Sequence, residues 1–441
     1  MQGTSDDLKV LHDYLTDFNQ FGRESVVQET KGVPTYVNQF WTSKQRQANS
    51  LHEIAYRACF KPQLPRFFID LLTQPGDVVY DPFMGRGTTL IEAALMGRVP
   101  FGCDVNPLSD ILTRPRLNPP SLAAVADRLR QLDLSHCRHY PQELEVFYHP
   151  ETLTEICALR EYLLQRERAG DMDDVDRWIR MVAVNRLTGH SKGFFSVYTL
   201  PPNQAVSIES QRKINQRLGQ TPPRREVKTI ILQKSRSLLR DCDSLVRARL
   251  ASVAPRALLL TRQAHHTPEI PDASVHLVVT SPPFLDVVDY AQDNWLRCWF
   301  CGIDPQAVPI TIARGVHEWR EAMRHVFREL TRVLVLIQMR QGDVGGAVAT
   351  LDDFIARTDQ PQGKLDAAME KINIQTLTGK REQAYEALKT LARENPNQIP
   401  VLRKLLDAGM ATEKPETLQQ WIDQIKQIEG QQGRQWRYEQ A

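Results

Sequence analysis

The sequence predicts an α/β protein: a doubly wound parallel sheet, interrupted by a helical insertion and followed by an all-α tail. Three observations lead there. "DVVYDPFMGRGTTLIEAALMGRVPFGCDV", residues 77–105, reads as strand, glycine-rich loop, amphipathic helix and second strand, the opening unit of such a sheet. Buried-strand patterns return only at "RALLLTR" and "ASVHLVVT" (256–262 and 273–280). From about residue 338 onward no strand pattern remains.

Taken in order, residues 1–75 read as mostly helical, ending in "LPRFFIDLLTQPGD", where Pro75-Gly76 is turn chemistry. Residues 1–106 then hold the N-terminal helices and the first half of the α/β core, and 107–255 form a helical, basic insertion. Residues 256–337 hold the second half of the core, closing on the amphipathic helix "VHEWREAMRHVFRELTRVL". Residues 338–441 read as a helical-hairpin tail: Gly342, Ala347 and Leu351 recur 37 positions later as Gly379, Ala384 and Leu388. The stretch "GKREQAYEALKTLARENPNQ" also has the small-residue and terminal-proline pattern of a tetratricopeptide helix.

The totals exclude several classes. A chain of 441 residues has core enough for two or three domains, and a net charge of +2 implies no partner by itself. "MQGTSDDLKVLHDYL" lacks the basic stretch and apolar core of a signal peptide, and no apolar run approaches the roughly 18 residues of a membrane span. Seven scattered cysteines suit a reducing cytoplasm, which is the expected location. Cys298 and Cys301 form a lone CxxC without a second pair or histidines, so they read as packed helix residues, and no metal site is expected. His265 and His266 read as loop residues.

Two stretches carry chemistry. In "DPFMGRGTT" (81–89), Gly85 and Gly87 let the backbone turn tightly and approach a ligand, and Thr88 or Thr89 is placed to cap the following helix. The loop sits at the carboxyl end of a strand, where open α/β sheets bind ligands. It is neither a GxGxxG dinucleotide loop nor a P-loop, since no third glycine or lysine follows at the right spacing. Asp104 ends the second strand, placed to accept hydrogen bonds from both hydroxyls of a ribose, with Asn106-Pro107 closing the turn. In "VVTSPPF" (278–284), a strand stops on two prolines, which donate nothing to a sheet ladder and set a rigid elbow.

Together, "DPFMGRGTT" and the downstream "TSPPF" resemble the amino-group DNA methyltransferases, over roughly residues 35–335. The resemblance implies a Rossmann-like sheet that binds S-adenosylmethionine through Asp81, Phe83, Gly85, Gly87, Thr88, Thr89, Asp104 and Asn106. "SLHEIAYRACFKPQLPRFFIDLL" looks like the family's helix that closes over the methionine end of the cofactor. The second motif, Ser281, Pro282, Pro283 and Phe284, is implied to be catalytic. An exocyclic amine is a poor nucleophile because its lone pair is delocalised into the ring. The Ser281 hydroxyl and the Pro282 carbonyl would accept its hydrogens and aim that lone pair, while Phe284 stacks on the flipped base. Serine in first place is typical of members that modify cytosine N4; aspartate is commoner in those modifying adenine N6. No Pro-Cys dipeptide occurs, as a carbon-5 cytosine enzyme would require.

The expected partner is double-stranded DNA, in a restriction–modification setting with a cognate endonuclease. From Ile208 to Leu250, eleven Lys/Arg stand against four Asp/Glu, a net of +7, and such a surface suits phosphates. Arg212, Lys213, Arg217, Arg224, Arg225 and Lys228 are the candidate DNA contacts, with Phe194, Phe195, Tyr198 and Asn203 nearby. Asp289 and Tyr290 are placed to line the base pocket or to hold the loop, and Trp295, Trp299 and Phe300 to pack in a core. Two features depart from the family: Gln263 and Ala264 stand where an acidic residue approaches the adenine, and "VLIQMRQGDVGGAVATLDDF" replaces a Pro-Gly-Gly turn and further strands. Adenine-N6 methylation, RNA guanine-N2 methylation and an inactive remnant whose tail binds a protein partner are the competing readings.

Overall fold

A computed structural model describes residues 12–30, 33–40, 48–56, 59–199, 206–272, 274–283, 290–309, 315–334, 348, 351–352, 355–356, 361–377, 380–409 and 413–430. The chain divides into two compact units after Leu330.

The first unit is built on a four-stranded parallel sheet: β3 (Val78–Asp81), β4 (Val99–Asp104), β5 (Leu258–Thr261) and β6 (Leu277–Val278), in the spatial order β5-β4-β3-β6. The apolar run of β3 is buried along its whole length, as a central strand covered on both faces requires. Gly102 in β4 is glycine for space: a Cβ there would lie 2.5 Å from a Leu90 methyl and 2.6 Å from the Met84 sulfur. The chain steps outward from β3 to β4 to β5, then returns to put β6 on the far side of β3. That reversal opens a crevice above the carboxyl ends of β3 and β6, where open α/β sheets take ligands.

Seven α-helices, from Leu108–Leu117 to Ser244–Val253, separate β4 from β5 among the described residues. Ser121, Asp173, Ser207 and Asp243 each cap a helix by accepting a backbone N–H. The insertion shares one core with the sheet's helices: Ile91, Leu108 and Leu112 pack in the same cluster as Phe147, Trp178 and Phe300. Cys298 and Cys301 are buried free thiols in that cluster, and Phe300 lies with them while Trp295 and Trp299 pack at its edge.

The N-terminal region differs from the helical expectation. Val26–Thr30 (β1) and Val33–Val37 (β2) form an antiparallel ribbon, with Val26 opposite Val37 and Thr30 opposite Val33. Among the described residues of this region, only 12–17 and Gln63–Leu72 are α-helical. The missed signal was alternation around a two-residue, glycine-containing break, which is hairpin patterning. Likewise the described residues of "SLHEIAYRACF", 50–56 and 59–60, hold no α-helix: Ser50–His52 is one 3-10 turn, and the helix starts at Gln63.

In the second unit the helices Pro361–Leu377, Arg381–Glu394, Ile399–Gly409 and Pro415–Glu429 enclose their own core of Leu365, Ala384, Leu388, Leu402, Leu405 and Ile425. Of the 37-residue repeat, Leu351, Ala384 and Leu388 are buried, whereas Gly342, Ala347 and Gly379 lie outside the described residues. The helix Val316–Leu334 continues through Val333 and Leu334, so the start of "VLVLIQM" is helical; its remainder lies outside the described residues.

Gly87 tests the loop geometry. Its φ is +75°, and a Cβ there would lie 2.3 Å from Thr113 Oγ1, whereas Gly170 (φ +72°) has open space. Gly170→Ala is expected to cost about 1 kcal/mol and Gly87→Ala about 3 kcal/mol or more, measured by urea unfolding. Equal costs would mean that Thr113 yields freely.

Candidate active site

The site is assembled where β3 and β6 end. Asp81, the last residue of β3, is 2% exposed. Its Oδ1 accepts the Phe83 backbone N–H at 3.0 Å and the Thr280 hydroxyl at 2.6 Å. Thr89, the second residue of the helix Thr88–Leu95, donates its hydroxyl to the Val279 carbonyl at 3.0 Å. The glycine loop and the proline elbow, 199 residues apart at the Asp81–Thr280 bond, are therefore stitched together side chain to strand end. The helix cap differs from expectation: Gly87 occupies it with no side-chain bond, and Thr88 instead accepts from Arg86 Nε at 3.1 Å.

On the other side of the loop, Asp104 Oδ2 accepts the Gly85 N–H and Oδ1 the Asn106 N–H, both at 2.9 Å. Asn106 Oδ1 in turn accepts the Leu108 N–H at 3.0 Å, fixing the turn into the next helix. Beneath the loop lies the fully buried Arg116. It donates to the carbonyls of Leu112 (2.8 Å), Leu51 (3.2 Å) and Arg86. Desolvation pushes its pKa down to about 9. Arg86 Nη1 donates to the Ile54 carbonyl at 2.6 Å. A buried guanidinium with five donors thus anchors backbone that has no regular ladder to join.

These elements enclose a cavity of about 170 Å³. Asp81, Phe83, Gly85, Thr88, Asp104 and Asn106 line it from the loop side, and Ser281 and Pro283 from the elbow. Tyr56, Cys59 and Phe60 form a further wall, Gln263 and His265 another, and Trp319, Met323 and Val326 face them from one helix. The Trp319 indole N–H donates to the Pro283 carbonyl at 3.0 Å, which pins the elbow. Gln263 Nε2 donates to the Pro309 carbonyl at 2.8 Å, so its amide oxygen remains as an acceptor. Desolvation raises the Asp81 pKa to about 6 despite the Thr280, Phe83 and Thr89 donors. Asp104 is also raised by desolvation, with the Asn106 and Gly85 N–H groups opposing.

Arg116 and Trp319 were not legible as site residues, since each acts on backbone or wall far from it in sequence, whereas Tyr56, Cys59 and Phe60 fall within the stretch read as closing over the cofactor. Phe284, Asp289 and Asn203 lie outside the described residues, and Tyr290 is described only as backbone at the start of a short helix. Thr89 touches the elbow rather than the cavity lining. The basic stretch disperses. Arg212 and Arg217 face solvent, while Lys213 pairs with Glu209 at 2.7 Å. Arg224 bridges Glu151 and Glu155, both at 2.7 Å; Lys228 donates to the Leu132 carbonyl, and Arg225 is half-buried against Thr152. Among the described residues no group of His, Cys, Asp and Glu could hold a metal ion, and no helix is long and apolar enough to cross a membrane.

Residues 8–109 match the family model of the N6/N4 methyltransferases, described as DNA methylase. The chain is 28% identical over 140 residues to the type II methyltransferase M.MvaI of Kocuria varians, covering 31% of this chain and 29% of that protein. It is 22% identical over 316 residues to the type II methyltransferase M.BsoBI of Geobacillus stearothermophilus, covering 64% and 58%. It is also 26% identical over 132 residues to a tRNA (guanine(10)-N2)-dimethyltransferase of Methanocaldococcus jannaschii, covering 30% and 36%. The matched regions thus span less than two thirds of each of these relatives. No solved structure matches the chain. The likenesses are to methyltransferases of the amino-group kind, for which S-adenosylmethionine is the expected cofactor.

Because the folded Asp81 binds its proton more tightly than an ordinary aspartate, it favours the folded state below pH 4, and this is lost as pH rises through about 6. The stability of the wild type minus that of Asp81→Asn is expected to fall by about 2 kcal/mol between pH 4 and 7, read by urea unfolding at each pH. A flat difference would mean that Asp81 is not desolvated.

Proposed function

We propose that this chain is a DNA methyltransferase that transfers a methyl group from S-adenosylmethionine to an exocyclic amine, cytosine N4, in duplex DNA, as in restriction–modification. The observation that carries the reading is the join of the two motif loops. Asp81 accepts the Thr280 hydroxyl across the switch point of the sheet, and Ser281 and Asp104 then line one cavity.

The lining suits the cofactor. Asp104, whose two oxygens are oriented by the Gly85 and Asn106 N–H groups, presents a carboxylate in the cavity wall to accept ribose hydroxyls. Phe83, Val105 and Val326 offer apolar surface to an adenine, and the free Gln263 oxygen can accept its amine hydrogen. The buried Asp81 carboxylate favours a cationic group in the same cavity. When bound, S-adenosylmethionine supplies an electrophilic methyl on a sulfonium sulfur.

The protein's own part is positioning and polarisation. The Ser281 hydroxyl and the Pro282 carbonyl accept the two amine hydrogens, localising the nitrogen lone pair and aiming it into the cavity. Two prolines and the Trp319 N–H hold the elbow, so these acceptors need no reorganisation as charge develops. Phe284 would stack on the flipped base. Serine rather than aspartate at position 281 favours cytosine N4 over adenine N6. The helical tail, with its tetratricopeptide-like spacing, would be the seat of a protein partner.

The test is incubation with tritiated S-adenosylmethionine and mixed-sequence duplex DNA, followed by digestion to nucleosides. Label in N4-methylcytosine is expected. Label in N6-methyladenine would overturn the base assignment, and label only in added RNA, or none in a folded preparation, would overturn the reading as a whole. Ser281→Ala is expected to lower turnover about 100-fold with cofactor affinity within about twofold. Trp319→Phe, which loses only the N–H, should lower turnover about tenfold with the same cofactor affinity; joint loss of binding and turnover would make the elbow merely structural.

A further inference from the structure

The loop after the helix Asp174–Val184 carries a cation that the methyl-transfer cavity does not use. The Arg186 guanidinium lies 4.0 Å over the Phe194 ring, and its Nε donates to the Asn185 carbonyl at 2.7 Å. The loop is built for this. A Cβ on Gly189 would lie 2.4 Å from the Phe194 ring; Phe195 N–H donates to the Arg186 carbonyl, and Thr199 N–H to the Gly189 carbonyl. The terminal nitrogens of Arg186 have no hydrogen-bond or ion-pair partner among the described residues.

The charges around it do not balance. Among the described residues no carboxylate acts on Arg186, and its pKa is pushed down to about 10 by burial and by Arg297. Lys234 is pushed down to about 8 by burial and by Arg186, and it shares Glu53, at 3.5 Å, with Arg240, at 3.0 Å. Arg297 has Asp293 among its neighbours. Grouping half-buried cations around one unneutralised guanidinium is unfavourable unless an anion joins them. A planar fork stacked on an aromatic ring is the geometry that meets a phosphate group.

The patch also adjoins the cavity. Asn185 Oδ1 accepts the Ala55 N–H at 3.0 Å and Arg297 Nη2 donates to the Ala55 carbonyl at 3.1 Å. The next residue, Tyr56, is a cavity wall, and Arg297 sits 5.6 Å from its ring. We infer that Arg186, with Lys234 beside it, is a phosphodiester site that grips the strand whose base enters the cavity. This inference rests on the DNA methyl-transfer reading and centres the backbone contact on Arg186, outside the basic stretch 208–250 where sequence charge alone had put it, with Lys234 of that stretch beside it.

The experiment is titration of the full chain with a mixed-sequence DNA duplex between about 50 and 200 mM salt. Arg186→Gln is expected to weaken binding about five- to tenfold at low salt and to reduce the log–log salt slope by about one, with S-adenosylmethionine affinity and melting temperature kept. Lys234→Gln, which leaves the Phe194 stack intact, should reduce the slope in the same direction. Unchanged slopes in both folded variants would sink the site, as would displacement of the wild type's duplex by millimolar inorganic phosphate at constant ionic strength, which marks a free-anion site. A wild type that methylates DNA alongside unchanged variants loses only this inference. A wild type that neither binds nor methylates duplex DNA loses the function reading with it.

Discussion

The site depends on one buried carboxylate. Asp81 stands at the end of the central strand, and its hydrogen bond to Thr280 joins two loops that nearly 200 residues of chain separate. Closing so long a loop costs entropy that grows only slowly with length, and parallel pairing of β3 with β6, together with the Thr89 bond to Val279, meets that cost locally. Desolvation works against the charge, so the donors from Thr280, Phe83 and Thr89 are what keep an ionised group tolerable there. A neutral residue would hold the loops less firmly and would offer no attraction to a cation in the cavity.

The surroundings of the cavity are held largely by guanidinium groups bonded to backbone carbonyls. Arg116, Arg86 and Arg297 reach the carbonyls of Leu51, Ile54 and Ala55, so the irregular segment 51–56 is held by long-range forks rather than by a ladder. This costs desolvation, visible in the lowered pKa of Arg116 and Arg297, and it fixes Tyr56 as a wall. Arg186 differs from these three because, among the described residues, its terminal nitrogens have no such carbonyl, which is the basis for proposing it as a phosphate contact.

The insertion is part of this architecture. Trp178, at the heart of the shared core, donates its indole N–H to Ser235 at 3.0 Å, and Asn185 at the end of the same helix holds Ala55. Residues remote from both motifs therefore set where the cavity wall stands.

What the sequence by itself determined were features whose cause is local. Gly85 and Gly87 are required by left-handed backbone, Pro282 and Pro283 by the strand's end, and the apolar runs of β3 and β4 by burial on both faces. Each is a constraint that a residue type imposes on its own backbone, so it can be read without a partner. Tertiary structure alone decided the rest. That Trp319 pins Pro283, that Arg116 underlies the glycine loop, that Gly87 rather than a threonine caps the helix, and that the charges of 208–250 disperse while Arg186 is left unneutralised all depend on which distant group arrives beside which. The N-terminal ribbon belongs with them, because its alternation is short and only pairing between β1 and β2 makes it a sheet. Side-chain-to-carbonyl bonds across dozens of residues leave no periodicity in the chain, and so they become visible only once the fold has brought their ends together.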